Sequence, residues 1–144
     1  MRKCANTKII GISVDGAFDK RDSSALMQVN NPIKDKSYAF ALEAVKLCLN
    51  IQQEKREYIL TKQLLKSGTS IGANVEEAQQ PQSRADFTSK MSIALKESYE
   101  SRYWLRLIRD SGLASTDQIE PLLKQVDEII RLLVAITMKS KSQA

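Results

Sequence analysis

Residues 63–78 limit the possible folds of this chain more than any other segment. Both flanks show a helical pattern of apolar residues, yet five of the six residues 67–72 are serine, threonine or glycine. Each glycine inside a helix costs about 1 kcal/mol relative to alanine, and serine and threonine hydroxyls compete for backbone hydrogen bonds. A helix that keeps such residues is predicted to pack closely against another backbone, or to hold a buried polar network.

After Asp35, apolar residues recur at spacings of three and four in four successive stretches, as they do along one face of an α-helix. The four faces comprise Phe40, Ala44, Leu47, Cys48 and Ile51; Leu60, Leu64, Ile71, Val75 and Ala78; Phe87, Met91, Ala94, Ser98, Ser101, Leu105 and Ile108; and Leu122, Val126, Ile129, Leu133 and Ile136. Four such helices joined by short loops predict an all-α fold, an antiparallel up-down four-helix bundle.

Cap residues and helix breakers mark the ends of these helices. Starts are indicated by Ser83 and Ser115, and ends by Pro81 and Gly112. The polar residues 52–57 predict the first turn. Pro121 is expected in the first turn of the fourth helix or at a bend, because proline cannot donate the hydrogen bond that a helix interior requires.

The chain therefore divides into three parts. Residues 1–34 lack a helical period and are predicted to form a non-helical arm, flexible or docked, with Met27 as an alternative native start. The bundle is expected at 35–139, followed by a polar tail at 140–144. The apolar faces of the third and fourth helices are wider than one bundle interior requires, which predicts a homo-oligomer.

Composition excludes several classes of protein. The chain has no histidine, so a Ser-His or Cys-His nucleophile and an imidazole metal site are impossible. Cys4 and Cys48 are isolated, and Cys48 is expected in the core rather than in a disulfide. No run approaches the roughly 20 apolar residues of a membrane span, so a cytoplasmic location away from membranes is predicted. The net charge of +5 is compatible with a polyanionic partner.

Three blocks of sequence carry a family resemblance. They are residues 37–41, residues 63–67 with 70–78, and residues 86–87 with 93–97 and 100–105. In these blocks the chain resembles the four-helix-bundle proteins encoded within intervening sequences of 23S ribosomal RNA genes. The resemblance covers residues 35–138, and residues before Asn30 have no counterpart in the family pattern.

The resemblance implies a bundle that assembles into a ring, a homopentamer, with no enzymatic activity and no cofactor. A related branch, the accessory variability protein of diversity-generating retroelements, is a basic pentameric barrel that binds nucleic acid and a reverse transcriptase. RNA or DNA, and a reverse transcriptase, are therefore the partners that the resemblance implies besides further copies of the chain.

A polar stripe on the second helix is the first candidate site. The stripe and the polar residues that crowd the middle of the third helix predict a buried network, in which Asn74 and Glu77 pair with Arg102 or with a hydroxyl. The alternative is an all-oxygen magnesium or manganese site built from the glutamates. A phosphate cradle is excluded because the Gly-x-x-x-x-Gly-Lys spacing is absent. The network residues are Ser67, Ser70, Asn74, Glu77, Glu97 and Glu100.

Basic residues on the second and third helices form the second candidate site. Arginines at i, i+4 and i+7 make a stripe on the third helix, and Tyr99, Tyr103 and Trp104 lie among the charges, where all three rings are able to stack on bases. Trp104 is expected in an apolar contact between subunits. The alternative is a solvated face with salt bridges. The candidate nucleic-acid-binding residues are Lys62, Lys66, Lys90, Lys96, Arg102, Arg106 and Arg109.

These observations predict a non-enzymatic, homo-oligomeric bundle that binds RNA or DNA through basic helical faces. The alternative function is a structural or protein-interaction ring whose basic charge is incidental. A catalytic or metal site is a third and more remote hypothesis because histidine is missing.

Overall fold

Four α-helices make up nearly all of residues 30–143, the part of the chain that the computed structural model describes. They are α1 (Pro32–Lys55), α2 (Ile59–Glu77), α3 (Arg84–Asp110) and α4 (Thr116–Ser142). Loops of three to six residues connect them, so consecutive helices run antiparallel. Each helix packs against the next, and α4 packs against α1, which closes the bundle. The predicted all-α four-helix fold is confirmed, with no strand among the described residues.

The first helix begins at Pro32, three residues before the predicted boundary at Asp35. Pro32 occupies the first helical position, where its fixed φ suits the helix and its missing N–H would have had no partner. Asn31 caps the helix, because its side chain accepts a hydrogen bond from the backbone N–H of Lys34 (3.3 Å). The rest of the predicted N-terminal arm, including the alternative start at Met27, lies outside the described residues.

At the other end, α4 continues to Ser142, so most of the predicted polar tail is helical. Ser140 is buried, and its hydroxyl is hydrogen-bonded to the hydroxyl of Thr88 on α3. Arg84, at the start of α3, donates a hydrogen bond to the backbone carbonyl of Gln143 (2.5 Å). The last turn of α4 therefore has partners on α3, which a polar composition does not reveal.

The turns follow the predicted signals, with one difference. Arg56 ends α1 in the left-handed conformation (φ 56°), within the predicted first turn. Gly112 follows α3 with φ 79°, and the backbone N–H of Leu113 donates to the carbonyl of Ile108 (3.2 Å), as in a Schellman motif. Pro121 is the sixth residue of α4 and so lies in its second turn. The helix continues through it because only one backbone hydrogen bond is lost there.

The four apolar faces meet in a single core. Nearly all of the predicted face residues are buried, and Leu60, Phe87 and Ile136 pack against the core while partly exposed. Cys48 is a buried free thiol in the core, as predicted; its burial, together with the charge of Glu57, raises its pKa to about 12. Among the described residues, no helix is long and apolar enough to cross a membrane.

The small residues of α2 contact two different helices. The hydroxyl of Ser101 on α3 donates to the Ser67 hydroxyl (2.9 Å), and both serines are fully buried. A Cβ atom at Gly68 would lie 3.4 Å from Ala44 Cβ on α1 and 4.0 Å from Ser101 Oγ. We call Ser67, Gly68 and Ser101 the serine–glycine seam. The close approach of a second backbone occurs one turn later, where a Cβ at Gly72 would lie 3.5 Å from the carbonyl oxygen of α1 residue 37.

Candidate nucleic-acid interface

The predicted polar network contains residues that the structure does not bring together. Only Ser67 reaches a hydroxyl on another helix, through its bond to Ser101. Ser70 and Asn74 are satisfied within α2, because the Ser70 hydroxyl donates to the carbonyl of residue 66 (2.7 Å) and the Asn74 amide donates to the carbonyl of Ser70 (2.8 Å). Glu77 is exposed and pairs with Lys90 (2.6 Å). The stripe is therefore not a buried network, because Ser70 and Asn74 are half-buried with partners inside α2 and Glu77 is exposed.

The two glutamates of α3 are also separate from that stripe. Burial raises the pKa of Glu97, the charge of Glu100 raises it further, and Lys66 opposes the shift. Glu100 accepts a hydrogen bond from the indole N–H of Trp104 (3.1 Å). Within residues 30–143, no three histidine, cysteine, aspartate or glutamate side chains lie close enough together to hold a metal ion. The all-oxygen alternative therefore has no support in the described part of the chain.

The predicted basic residues fall into two groups. Lys62, Lys66 and Lys96 are exposed and form no ion pair among the described residues. Lys90 is bound to Glu77, and this hydrogen bond raises the pKa of Lys90. None of these four lysines lines the groove that the arginines occupy. The seven predicted residues thus do not form one continuous surface.

The three arginines line a groove of about 400 Å³ between α3 and α4. Their i, i+4 and i+7 spacing places them on adjacent turns along the side of α3 that faces α4. Lys124 of α4 contributes a fourth cation, and two carboxylates from α4 complete the lining. We call this surface the arginine groove; it is lined by Arg102, Arg106, Arg109, Glu120, Leu123, Lys124 and Asp127.

The charges of the arginine groove are only partly compensated. Arg109 is held by Asp110 (2.8 Å) and Glu120 (3.0 Å), and these hydrogen bonds raise its pKa. Arg102 lies 3.3 Å from Asp127, so it pairs with α4 and not with the α2 residues predicted as its partners. The physical reason is its position on the α4 side of α3.

Two cations of the groove remain available. Arg106 and Lys124 are exposed, and neither forms an ion pair within residues 30–143. The groove thus holds four cations against two lining carboxylates, with two of the cations open to an added anion.

Exposed tyrosines lie beside the arginines on α3. The guanidinium carbon of Arg102 lies 5.1 Å from the centre of the Tyr99 ring, a cation–π contact. Tyr99 is 45% exposed and Tyr103 is 56% exposed. Trp104 packs partly against the core and meets the Tyr103 ring edge-on, with ring centres 4.9 Å apart.

The comparisons with known proteins decide the family. Residues 30–135 match the family model of the 23S rRNA-intervening sequence protein. The chain belongs to this family. The match confirms the predicted resemblance; it begins at Asn30, before the predicted start at Asp35, and ends at residue 135, before the predicted end at 138. No curated protein is significantly similar to the chain.

A solved structure supports the same family assignment. It is the 1.70 Å crystal structure of a protein with unknown function from the S23 ribosomal protein family of Bacteroides thetaiotaomicron. That protein shares 46% sequence identity with the chain and superposes with a TM-score of 0.71, over 73% of this chain and 97% of that one. The family match includes every residue of the arginine groove and of the serine–glycine seam.

Sequence reasoning missed two features of this 23S rRNA-intervening sequence protein. Lys124 was not among the candidates, because nothing in its own helix marks it as a neighbour of the arginines. The second is an apolar stripe on the solvent side of α1, which consists of Tyr38, Leu42 and Leu49 with exposed fractions of 68%, 44% and 56%. Its spacing of four and seven was visible in the sequence, although the predicted wide faces lie on the third and fourth helices.

Proposed function

We propose that this 23S rRNA-intervening sequence protein binds the phosphate backbone of RNA or DNA in the arginine groove. The observation that carries the proposal is the convergence of four cations from two facing helices on one groove with two lining carboxylates. Arginine suits this role because its planar guanidinium donates two hydrogen bonds to a phosphate. The proposal assigns no reaction and no cofactor to the protein.

The ion pairs already present in the groove are compatible with binding. Arg102 and Asp127 are 38% and 45% exposed, and such solvent-exposed pairs contribute only about 0–1 kcal/mol. A phosphate can therefore replace Asp127 as the partner of Arg102 at little cost. Arg106 and Lys124 need no partner exchange at all, so they are the first contacts that we assign to the ligand.

Self-association would multiply these contacts. The exposed stripe of Tyr38, Leu42 and Leu49 supports a homo-oligomer, since a surface of this kind on a helix is typical of a protein interface. Several grooves on one assembly would engage one nucleic acid with an avidity above that of a single groove. We therefore propose a homo-oligomer as the binding species, with the homopentamer implied by the family resemblance as its expected form.

Nucleic-acid binding is tested by fluorescence anisotropy at low salt, with a labelled RNA hairpin and a labelled single-stranded DNA as probes. The double variant Arg106→Gln/Lys124→Gln is expected to bind at least about tenfold more weakly than the wild type, and to reduce the slope of log affinity against log salt by about 2. The matched control is Lys62→Gln/Lys66→Gln, which removes the same charge from an exposed part of α2 and is expected to bind like the wild type.

Two results would contradict the proposal. If the wild type binds neither probe at low salt, the protein is not a nucleic-acid binder. If both double variants lose affinity equally, binding follows total charge and the arginine groove is not the site.

A structural or protein-interaction ring is the second candidate function, and the α1 stripe is the observation that favours it. Light scattering is expected to show an oligomer for the wild type and a smaller species for Leu42→Glu/Leu49→Glu. Met138→Glu serves as the control, since Met138 is also an exposed apolar residue (66%) but lies on α4. An oligomer that binds no nucleic acid would favour this second function, and a monomeric wild type would rule it out.

A further inference from the structure

We infer that the ligand of the arginine groove is a single strand whose bases stack on Tyr99 and Tyr103. This inference rests on the proposed function, and it names the class of nucleic acid that the groove would select. Proteins that hold single strands combine a basic groove for the backbone with aromatic side chains for the bases. The third helix carries both components side by side.

The two components run as parallel rows along α3. Tyr99 and Tyr103 are one turn apart, and so are Arg102 and Arg106; each pair is separated by about 6 Å along the helix axis. Each arginine follows its tyrosine by three positions, which places the two rows about 60° apart around the helix. A strand that runs along α3 would therefore meet cations on one side and rings on the other.

The rings of Tyr99 and Tyr103 are accessible to solvent, and the Tyr99 ring is oriented by its contact with Arg102. Within residues 30–143, most large apolar side chains are in or against the core, whereas Tyr99 and Tyr103 are 45% and 56% exposed. Arg102 lies over one face of the Tyr99 ring, with 5.1 Å between the guanidinium carbon and the ring centre. That contact holds the guanidinium and the ring next to each other, so the phosphate and the base of one nucleotide can be bound together.

The spacing of the rows favours a single strand over a duplex. Bases in a duplex are stacked on one another about 3.4 Å apart, so their faces cannot stack on a side chain unless the base is extruded. A single strand has unstacked bases, and its backbone can extend to match the repeat of about 6 Å along α3. A duplex would contact the cations alone and would gain nothing from the tyrosines.

The test compares three polyanionic probes: a labelled 12-nucleotide oligouridylate, a labelled 12-base-pair duplex and unlabelled inorganic polyphosphate as competitor. The variant Tyr99→Leu/Tyr103→Leu keeps the charge of the groove and removes both rings. We expect it to bind the single strand about tenfold or more weakly, with unchanged affinity for the duplex. The control Tyr58→Leu removes an equally exposed ring (52%) from the loop before α2 and is expected to have no effect.

A second measurement separates stacking from charge. Arg106→Gln is expected to weaken binding of the single strand and of the duplex alike, because both carry phosphates. Polyphosphate is expected to compete less well with oligouridylate for the wild type than for Tyr99→Leu/Tyr103→Leu, since only the wild type holds bases.

The failure of this inference is distinguishable from the failure of the proposed function. If the wild type binds the duplex as tightly as the single strand and the tyrosine variant binds both normally, nucleic-acid binding stands and the single-strand inference is wrong. If light scattering shows that Tyr99→Leu/Tyr103→Leu changes the oligomeric state, the rings contact another copy and the inference is also wrong. If no probe binds the wild type, the proposed function itself fails.

Discussion

Two sides of α3 use polar residues in opposite ways. On the side that faces α2, Ser101 is fully buried, and its hydroxyl is satisfied by Ser67. On the side that faces α4, the next residue, Arg102, is partly exposed and has an ion pair that solvent screens. A polar residue in a bundle helix therefore stabilises packing where its partner is neutral and buried. It is available for recognition where its charge remains in contact with water.

The largest expected effect on stability comes from adding side-chain volume to the buried side of α3. Ser101→Leu inserts a bulky side chain into the serine–glycine seam and is expected to lower the free energy of unfolding by about 3 kcal/mol, because overpacked cores strain their neighbours. Lys96→Leu places the same leucine side chain on the exposed surface of α3 and is expected to shift stability by less than about 0.5 kcal/mol. Urea denaturation followed by circular dichroism gives both values; equal effects would remove the distinction between the sides.

A double-mutant cycle tests whether the seam serines act as a pair. Ser101→Ala alone is expected to cost about 1 kcal/mol, because the buried Ser67 hydroxyl loses its donor. Ser67→Ala is expected to lower the free energy of unfolding less in the Ser101→Ala variant than in the wild type. The coupling energy between the two serines is expected to be about 0.5–1 kcal/mol. Strictly additive effects in denaturation would mean that the 2.9 Å contact contributes nothing.

Gly68, the glycine of the serine–glycine seam, provides a substitution that is expected to raise stability rather than lower it. A Cβ at Gly68 would sit at ordinary contact distances, 3.4 Å from Ala44 Cβ and 3.5 Å from Phe40 Cε1. Gly68→Ala is therefore expected to stabilise the protein by up to about 1 kcal/mol through helix propensity. Thermal unfolding measures the change. A clear loss of stability would show that α1 and α2 require a closer approach than alanine permits.

A pH-dependent prediction concerns Glu97, at the edge of the α2-facing side. Burial and the charge of Glu100 raise the pKa of Glu97, so the folded state holds its proton more tightly than the unfolded state does. Its ionisation therefore costs stability as pH rises from about 4, the unfolded value, through the higher folded pKa. Glu97→Gln is expected to be more stable than the wild type at pH 7, because the amide does not ionise.

The same variant should lose its advantage below pH 4, where wild-type Glu97 is protonated in both states. Denaturation at a series of pH values is the measurement. A Glu97→Gln protein that is less stable than the wild type at neutral pH would show that the ionised carboxylate is favourably placed.

The smallest expected effect lies in the arginine groove. In a cycle of Arg102→Gln and Asp127→Asn, the coupling energy is expected to be only about 0–0.5 kcal/mol, because both partners are more than a third exposed. A coupling above about 1.5 kcal/mol, measured by denaturation, would make this ion pair a structural element and would weaken its role as an exchangeable contact.

Much of the fold was predictable because helix formation and amphipathicity are local properties. The predicted apolar faces lie in or against the core, and the caps at Ser83 and Ser115 each accept a backbone hydrogen bond three residues ahead. The ends of the bundle were less predictable. Ser140 belongs to α4 because its hydroxyl meets Thr88, 52 positions away in the sequence.

For the candidate sites, the sequence indicated residues that share a face of one helix, but not their partners on other helices. Spacing placed Arg102, Arg106 and Arg109 on one face of a helix, and the structure agrees. Spacing did not indicate that this face meets α4, so Lys124 was missed and Arg102 was given partners on α2. Glu77 was predicted to be buried, yet it lies in solvent beside Lys90.

The four helices, the faces that they bury and the family could all be predicted from the amino-acid sequence, as could the lack of histidine. These follow from residue types and from spacings within one helix, which the backbone geometry translates directly into a surface. The packing of the helices, by contrast, sets which polar residues of α3 lie against α2 and which line a groove with α4. Hydrogen bonds and ion pairs depend on distances of about 3 Å between side chains far apart in the chain, and the rotation of packed helices sets those distances.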